Sequence, residues 1–281
     1  MGNHELTYRT LNIPSIGQME ALDYQEGNAV QYTSMDTGNF QFTINKYKSS
    51  ATYIYEKFKQ DSYYMNQVIS SFVPKQARAL ASVMENDIMA VGPDNQTASN
   101  LNTINGGNHR FVASGTNETM VIEDFAKARF ALQKANVPLM NLVALVDPTV
   151  EYTLATQPNL INFSNNPMWE GVVTTGLTSG MKFIRNIEGF DVYTSLRLKK
   201  GTASETIDSV VSSVPVYNLF FSAASDVLPF VGLVRQTPKV DYEYNKDYQR
   251  DEYVTTCRYG FDLYRPESLV VVLSDTDQVY A

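Results

Sequence analysis

Residues 61–91, DSYYMNQVISSFVPKQARALASVMENDIMAV, limit the possible folds of this chain more than any other stretch. Met65, Val68, Ile69 and Phe72 recur at helical spacing, and Leu80, Val83, Met84, Ile88 and Val91 resume it. That pattern predicts an amphipathic helix. Asp61 or Ser62 stands where a cap is needed. Pro74, which lacks an N–H, is expected to kink or divide the helix, and Gly92-Pro93 to end it. At about 1.5 Å per residue the rod would be roughly 45 Å long, more than a small globular core can cover. Whatever the chain folds into must supply further surface for this helix.

The chain has 281 residues, enough for one large domain or two modest ones with their own cores. Hydrophobic residues make up 43% and charged residues 19%, so the chain is of the folded globular class. Aspartate and glutamate outnumber lysine and arginine by 30 to 22, a net charge of −8, which argues against a sequence-independent grip on phosphate backbones. The single cysteine, Cys257, excludes an internal disulfide and fits a reducing compartment. The opening MGNHELTYRTLNIPS has no apolar h-region, and no window approaches eighteen apolar residues, so neither a signal peptide nor a membrane span is expected.

Along the rest of the chain, residues 1–27 read as an irregular arm punctuated by Pro14, Gly17 and Gly27. Residues 28–48 read as a hairpin: Val30 and Tyr32 alternate with polar residues, MDTGN turns, and Phe40, Phe42 and Ile44 alternate on the return. Such a ribbon is marginal alone in water and needs a surface to lie on. Residues 94–118, rich in Asn, Gly, Thr and Ser, read as an exposed loop. A helix follows, with Val121, Phe125, Ala128, Leu132 and Ala135 on one stripe and acids at its start. LVALV at 142–146 reads as a buried strand, and Asp147-Pro148 opens a short helix ending near Gln157-Pro158. MKFIRNIEGFDVYTSLRL reads as a hairpin turning at Glu188-Gly189, and 201–213 as a loop. Residues 214–234 hold a buried strand or helix that period alone leaves open. In 253–263 the odd positions, Tyr253 to Leu263, form one face and mostly polar even positions the other, which predicts a long strand covered on one side. Arg265-Pro266 breaks it, and LVVVL at 269–273 reads as the centre of a different, fully buried sheet.

Residues able to carry chemistry are scarce. His4 and His109 are the only histidines, and with one cysteine they cannot form a zinc-type cluster. His109 in GGNHRF has no nucleophile-elbow motif to serve and reads as a loop histidine. GLTSG at 176–180 lacks the spacing of a phosphate cradle. Cys257 alternates inward and reads as a small buried hydrophobe. The carboxylates of 241–252 are interleaved with Lys246 and Arg250 and read as a solvated mixed-charge face. No catalytic, cofactor-binding or metal-binding residue is expected.

The order of elements is more informative: arm, exposed hairpin, long helix, then an α+β core closed by an aliphatic strand. With YMNQVISSFVPKQARALASVMENDIM, NVPLMNLVALVDPTVEYTL, IEGFDVYTS and YGFDLYRPESLVVVL in that order, the chain resembles the major capsid proteins of tailed bacteriophages, those of short-tailed and marine phages above all. The resemblance covers most of the chain from about Gln18 onward and implies the Hong Kong 97 fold. It assigns 1–27 to an N-terminal arm and 28–48 to an extended loop lying over a neighbouring subunit. It assigns 49–138 to a peripheral domain with a spine helix, 139–235 to an axial domain, 236–266 to a peripheral β-ribbon, and 267–281 to the axial domain's last strand.

The resemblance further implies self-assembly into the hexamers and pentamers of an icosahedral head around double-stranded DNA in a virion made in the host bacterial cytoplasm. The partners it implies are scaffolding and portal proteins and a cement protein, with no cofactor and no membrane. Some relatives crosslink through a loop lysine, an asparagine and a glutamate; here Met35–Asn39 has no lysine, and Lys46 and Lys48 lie at the hairpin's base, so no crosslinking is expected. The expected contacts are Tyr32, Phe40 and Phe42 as apolar anchors, with Lys46 and Lys48 pairing with Glu243 or Asp247 of a neighbour. Two other readings compete: an encapsulin-like bacterial compartment shell, and a binding protein or enzyme with its site in 94–118.

Overall fold

The computed structural model describes residues 10–16, 37–61, 65–156 and 182–275. The chain divides into two compact units, residues 1–69 with 232–260, and residues 70–231 with 261–281. Tyr32, the first arm of the expected 28–48 hairpin and the GLTSG segment lie outside the described residues.

In the first unit, β1 (Thr10–Ile16) pairs antiparallel with β2 (Thr37–Thr43), the register setting Leu11 opposite Phe42 and Ile13 opposite Phe40. This corrects two expectations. The arm is not irregular throughout, and residues 37–39 are strand, not turn. Pro14 disguised β1, yet in a two-stranded sheet both strands are edges, where a missing N–H is tolerated. Three further strands form a sheet in the order β13-β14-β3, with β3 at Lys46–Tyr55, β13 at Phe230–Asn245 and β14 at Arg250–Leu263. Lys46 and Lys48 therefore sit in a paired strand, opposite Tyr259 and Cys257. Helix α1 (Glu56–Asp61) follows β3, so Asp61 ends a short helix instead of capping the long one.

The long helix α2 runs Met65–Asn95 without division at Pro74 and continues through Gly92-Pro93. Two features let it persist. A Cβ on Gly92 would stand 2.6 Å from Leu269 Cδ2, so glycine is what allows the close approach to that leucine. The Gln96 N–H then donates to Gly92 O at 3.1 Å, closing the last turn past Pro93, whose own N–H is absent.

The second unit is built on a six-stranded mixed sheet, β6-β15-β12-β7-β9-β8. Its strands are β6 (Arg110–Val112), β7 (Leu142–Val146), β8 (Lys182–Ile187), β9 (Phe190–Thr194), β12 (Pro215–Ser222) and β15 (Leu269–Asp275). The run LVALV and the run LVVVL are strands of this sheet as expected, and β12 resolves the open reading of 214–234 in favour of a strand buried at every position. Alternation along β15 feeds two cores. Val270 and Val272 join Phe125, Ala128 and Leu132 of α3 (Ile122–Lys134) and Val150 and Leu154 of α4 (Pro148–Thr156). Leu269, Val271 and Leu273 join Val91 of α2, Leu219, Phe221 and Ile207. Phe125, Phe190 and Phe220 meet edge-on, at 5.1 to 6.5 Å between centroids, where ring edge faces ring π-surface. Glu188 and Gly189, at φ +50° and +87°, make the expected β8–β9 turn.

The expected loop at 94–118 is instead partly built into the core. It holds the short strands β4 (Thr103–Ile104) and β5 (Gly107–Asn108), and β6, which runs parallel to β15. His109 and Arg110 are buried, and so are parts of 201–213, where β10 (Glu205–Ile207) and β11 (Val210–Ser212) form a small hairpin. Both stretches look polar because their backbones and charged groups are satisfied across long sequence separations. The Arg110 guanidinium donates to Glu205 at 2.6 Å, and the Tyr217 hydroxyl donates to the same carboxylate at 2.9 Å.

Candidate assembly surface

Strand β13 carries the sequence FVGLVRQTPKVDYEYN, in which apolar and charged residues alternate over its second half. A strand with such a pattern normally buries one face. Here Val234, Val240, Tyr242 and Tyr244 are exposed together with the charged residues between them, Tyr242 at 59%. Its neighbour β14 does bury one face, through Asp251, Thr255, Cys257 and Tyr259, as the odd-position pattern predicts. Tyr47, Tyr53, Tyr55 and Phe58 add to the exposed aromatic surface of the same unit. Contiguous exposed apolar area of this kind marks a contact surface.

The turn end of this sheet is held rigid by charge and aromatic contacts. Lys59 pairs with Asp251 and, at 3.0 Å, with Glu56. The Asp251 hydrogen bond, more than anything else, raises the lysine pKa above its ordinary value. The Tyr242 hydroxyl also donates to Asp251, at 3.0 Å, which raises the phenol pKa. Arg250 donates to Glu252 at 2.7 Å and stacks between the rings of Tyr53 and Tyr248 at 4.5 and 4.7 Å, a planar cation on two π-faces. The Arg250 hydrogen bond, with that from Asn245, lowers the Glu252 carboxyl pKa. Asp251 is thus buried and paired, not part of a solvated face. An open cavity of about 480 Å³ lies beside this end, lined by Tyr55, Lys57, Phe58, Asp61, Tyr248 and Gln249.

Of the expected contact residues, Phe42 is 1% exposed and is used inside its own unit, against Gly260, where an added Cβ would meet its ring at 3.0 Å. It is therefore a core residue in this conformation, because β2 packs its inward face. Phe40 is half-buried, Lys46 and Glu243 are exposed, and Asp247 lies in the exposed turn 246–249. Lys46 and Lys48 stand at one end of the β3–β14 ladder and Glu243 and Asp247 beyond the other. Nothing in the one-letter pattern distinguished β13 from a half-buried strand; its exposure follows from the lack of any covering layer.

Outside this surface, the candidate chemistry is structural. His109 is fully buried with its ring nitrogens 3.1 Å from the carbonyl oxygens of Gly107 and Glu267, and burial lowers its pKa. Among the described residues, no three of His, Cys, Asp and Glu gather as a metal site, and no helix is long and apolar enough to cross a membrane.

A family model described as phage capsid protein matches residues 39–272. The chain belongs to the phage capsid protein family. No curated protein matches it. Among solved structures, this capsid protein is similar to a chain of the cyanophage P-SCSP1u capsid at 16% identity and TM-score 0.68, covering 95% of this chain and 84% of that one. A chain of Mycobacterium phage Che8 gives 17% identity and TM-score 0.64 over 94% and 84%. The holo-SrpI encapsulin complex from Synechococcus elongatus gives 11% identity and TM-score 0.56 over 85% and 77%. At these identities the likeness is one of fold. The compartment-shell reading thus shares the fold, and the family match decides for a phage capsid protein, a structural role. Against that match, the reading of a binding protein or enzyme at 94–118 has buried, internally paired residues where it needs an open site.

Proposed function

We propose that this chain is the major shell subunit of a tailed-phage head, assembling through many copies of one set of contacts into hexamers and pentamers around double-stranded DNA. The observation that carries this reading is β13, a sixteen-residue strand left almost bare in a chain whose family forms capsids. Apolar surface that one copy leaves in water is covered by the next, and many such contacts make a shell by mass action.

In this reading the finer parts follow the Hong Kong 97 plan. Residues 28–48 act as the extended loop over a neighbour, with Tyr32 and Phe40 as its apolar contacts. Helix α2 is the spine, the β13–β14 ribbon extends the peripheral region, and the sheet containing β7 and β15 forms the axial core. Scaffolding, portal and cement proteins are the expected partners, and assembly takes place in the host cytoplasm. The net charge of −8 supports a lining that encloses DNA without gripping it.

Negative-stain electron microscopy of the purified chain, concentrated alone and co-expressed with the products of its neighbouring genes, tests the reading. Closed shells or curved sheets are expected. A chain that stays dispersed under both conditions overturns it.

A further inference from the structure

The three-stranded sheet of the first unit is charged oppositely at its two ends. At one end, an open cavity of about 450 Å³ is lined by Thr43, Ile44, Asn45, Lys46, Tyr47 and Arg258. The segments that build this end, 43–48 and 253–260, contain Lys46, Lys48 and Arg258 and no acidic residue. At the other end, residues 241–252 contain five acidic residues and two basic ones. Three of those acids are neutralised within the chain: Asp241 by Lys239, Asp251 by Lys59 and Glu252 by Arg250. Among the described residues, the carboxylates of Glu243 and Asp247 have no ion-pair partner, and both residues are exposed beside Tyr248, itself 63% exposed.

The two ends cannot meet within one chain. Lys46 pairs with Tyr259 and Tyr55 with Arg250, so they are separated by the whole ladder, roughly 30 Å at about 3.3 Å per residue. The unneutralised acids and the basic cavity can be joined only between copies.

We infer that the basic cavity receives the acidic turn 246–249 of a second copy, with Asp247 and Glu243 facing Lys46, Lys48 and Arg258 and the Tyr248 ring lying on Tyr47. The inference rests on the shell reading and names one of its contacts. One exposed ion pair contributes little alone, and salt screens it. Here two carboxylates face three cations beside an aromatic wall. The two patches differ, so the contact is heterologous: each copy offers a tip to one neighbour and a cavity to another, and the array closes into a ring if the rotation fits.

The test uses the full chain carrying Asn45→Cys and Lys246→Cys, its own Cys257 being buried. It is concentrated under mild oxidation and run on a non-reducing denaturing gel. A ladder of disulfide-linked multimers is expected. Its yield should fall at least tenfold when Glu243→Lys and Asp247→Lys are added, or when Lys46→Glu and Lys48→Glu are added, and return when all four are combined. Recovery in the combined variant excludes misfolding as the cause of the loss. A gel without a ladder overturns the contact, and a ladder indifferent to both reversals overturns the charge pairing. Particles that form without a ladder sink this contact and leave the shell reading standing; a ladder with no particles in any context does the reverse.

Discussion

Gly92 is where the long helix comes closest to the central sheet, because an added Cβ would lie 2.6 Å from Leu269 Cδ2 and 3.5 Å from Leu219 Cδ2. Gly92→Val should therefore destabilise the soluble chain by about 2 kcal/mol through overpacking. A thermal melt should show the midpoint lowered by roughly 4–8 °C, and an unchanged midpoint would mean that the leucines yield freely. A second residue-scale prediction concerns Arg110, Glu205 and Tyr217. Burial alone would raise the Glu205 pKa, but the Ser99 N–H and the Arg110 guanidinium outweigh it and hold it below the usual carboxylate value. A depressed folded pKa means stability present above the unfolded value, about 4.3, and lost as pH falls through the folded one. Burial, then Glu205, pushes the Tyr217 phenol up to about 12. Its contribution is full below the unfolded value, about 10, and is lost as pH rises toward 12. Denaturant melts across pH should show Glu205→Gln flattening the acid limb and Tyr217→Phe flattening the alkaline one. Equal slopes in variant and parent would refute the linkage.

At the scale of elements, α2 passes through Pro74 without a break, although proline there removes one helix hydrogen bond and crowds the preceding turn. Its ring is exposed, so no packing is lost on replacement. Pro74→Ala should stabilise the soluble chain by about 1–3 kcal/mol, seen as a higher denaturant midpoint with an unchanged slope. A lower midpoint would show that the ring is needed for the helix's path. Strand β13 makes the opposite point. Its pattern is that of a half-buried strand, yet no layer of this chain covers it, so its exposure is the element's contribution to assembly.

For the whole molecule, the shell reading and the lysine-free Met35–Asn39 segment together predict particles held by non-covalent contacts. A denaturing gel of mature particles should show a single monomer band; a ladder resistant to reductant would reveal crosslinking. The same comparison guards the disulfide experiment, since a native covalent link would be visible before any cysteine was added.

How much of this was legible in the sequence differs with the range of the interaction. LVALV, LVVVL, the Glu188-Gly189 turn and the inward face of 253–263 were legible because unbroken aliphatic runs, turn chemistry and alternation are local signals. The contact residues were legible only as residue types: Lys46 and Lys48 against Glu243 and Asp247 could be named, while the burial of Phe42 could not. The pairing of 37–43 with 10–16 was not legible, nor was the burial of His109 and Arg110. The polar look of 94–118 hid β6, whose partner β15 lies far along the chain, and His109 meets the Glu267 carbonyl 158 residues away. The sequence alone determined which segments are helix or strand, which faces are apolar, and that catalysis has little to work with. Only the tertiary structure decided which strands pair, which polar residues are buried, and that β13 is left bare, because those outcomes depend on partners that no local period encodes.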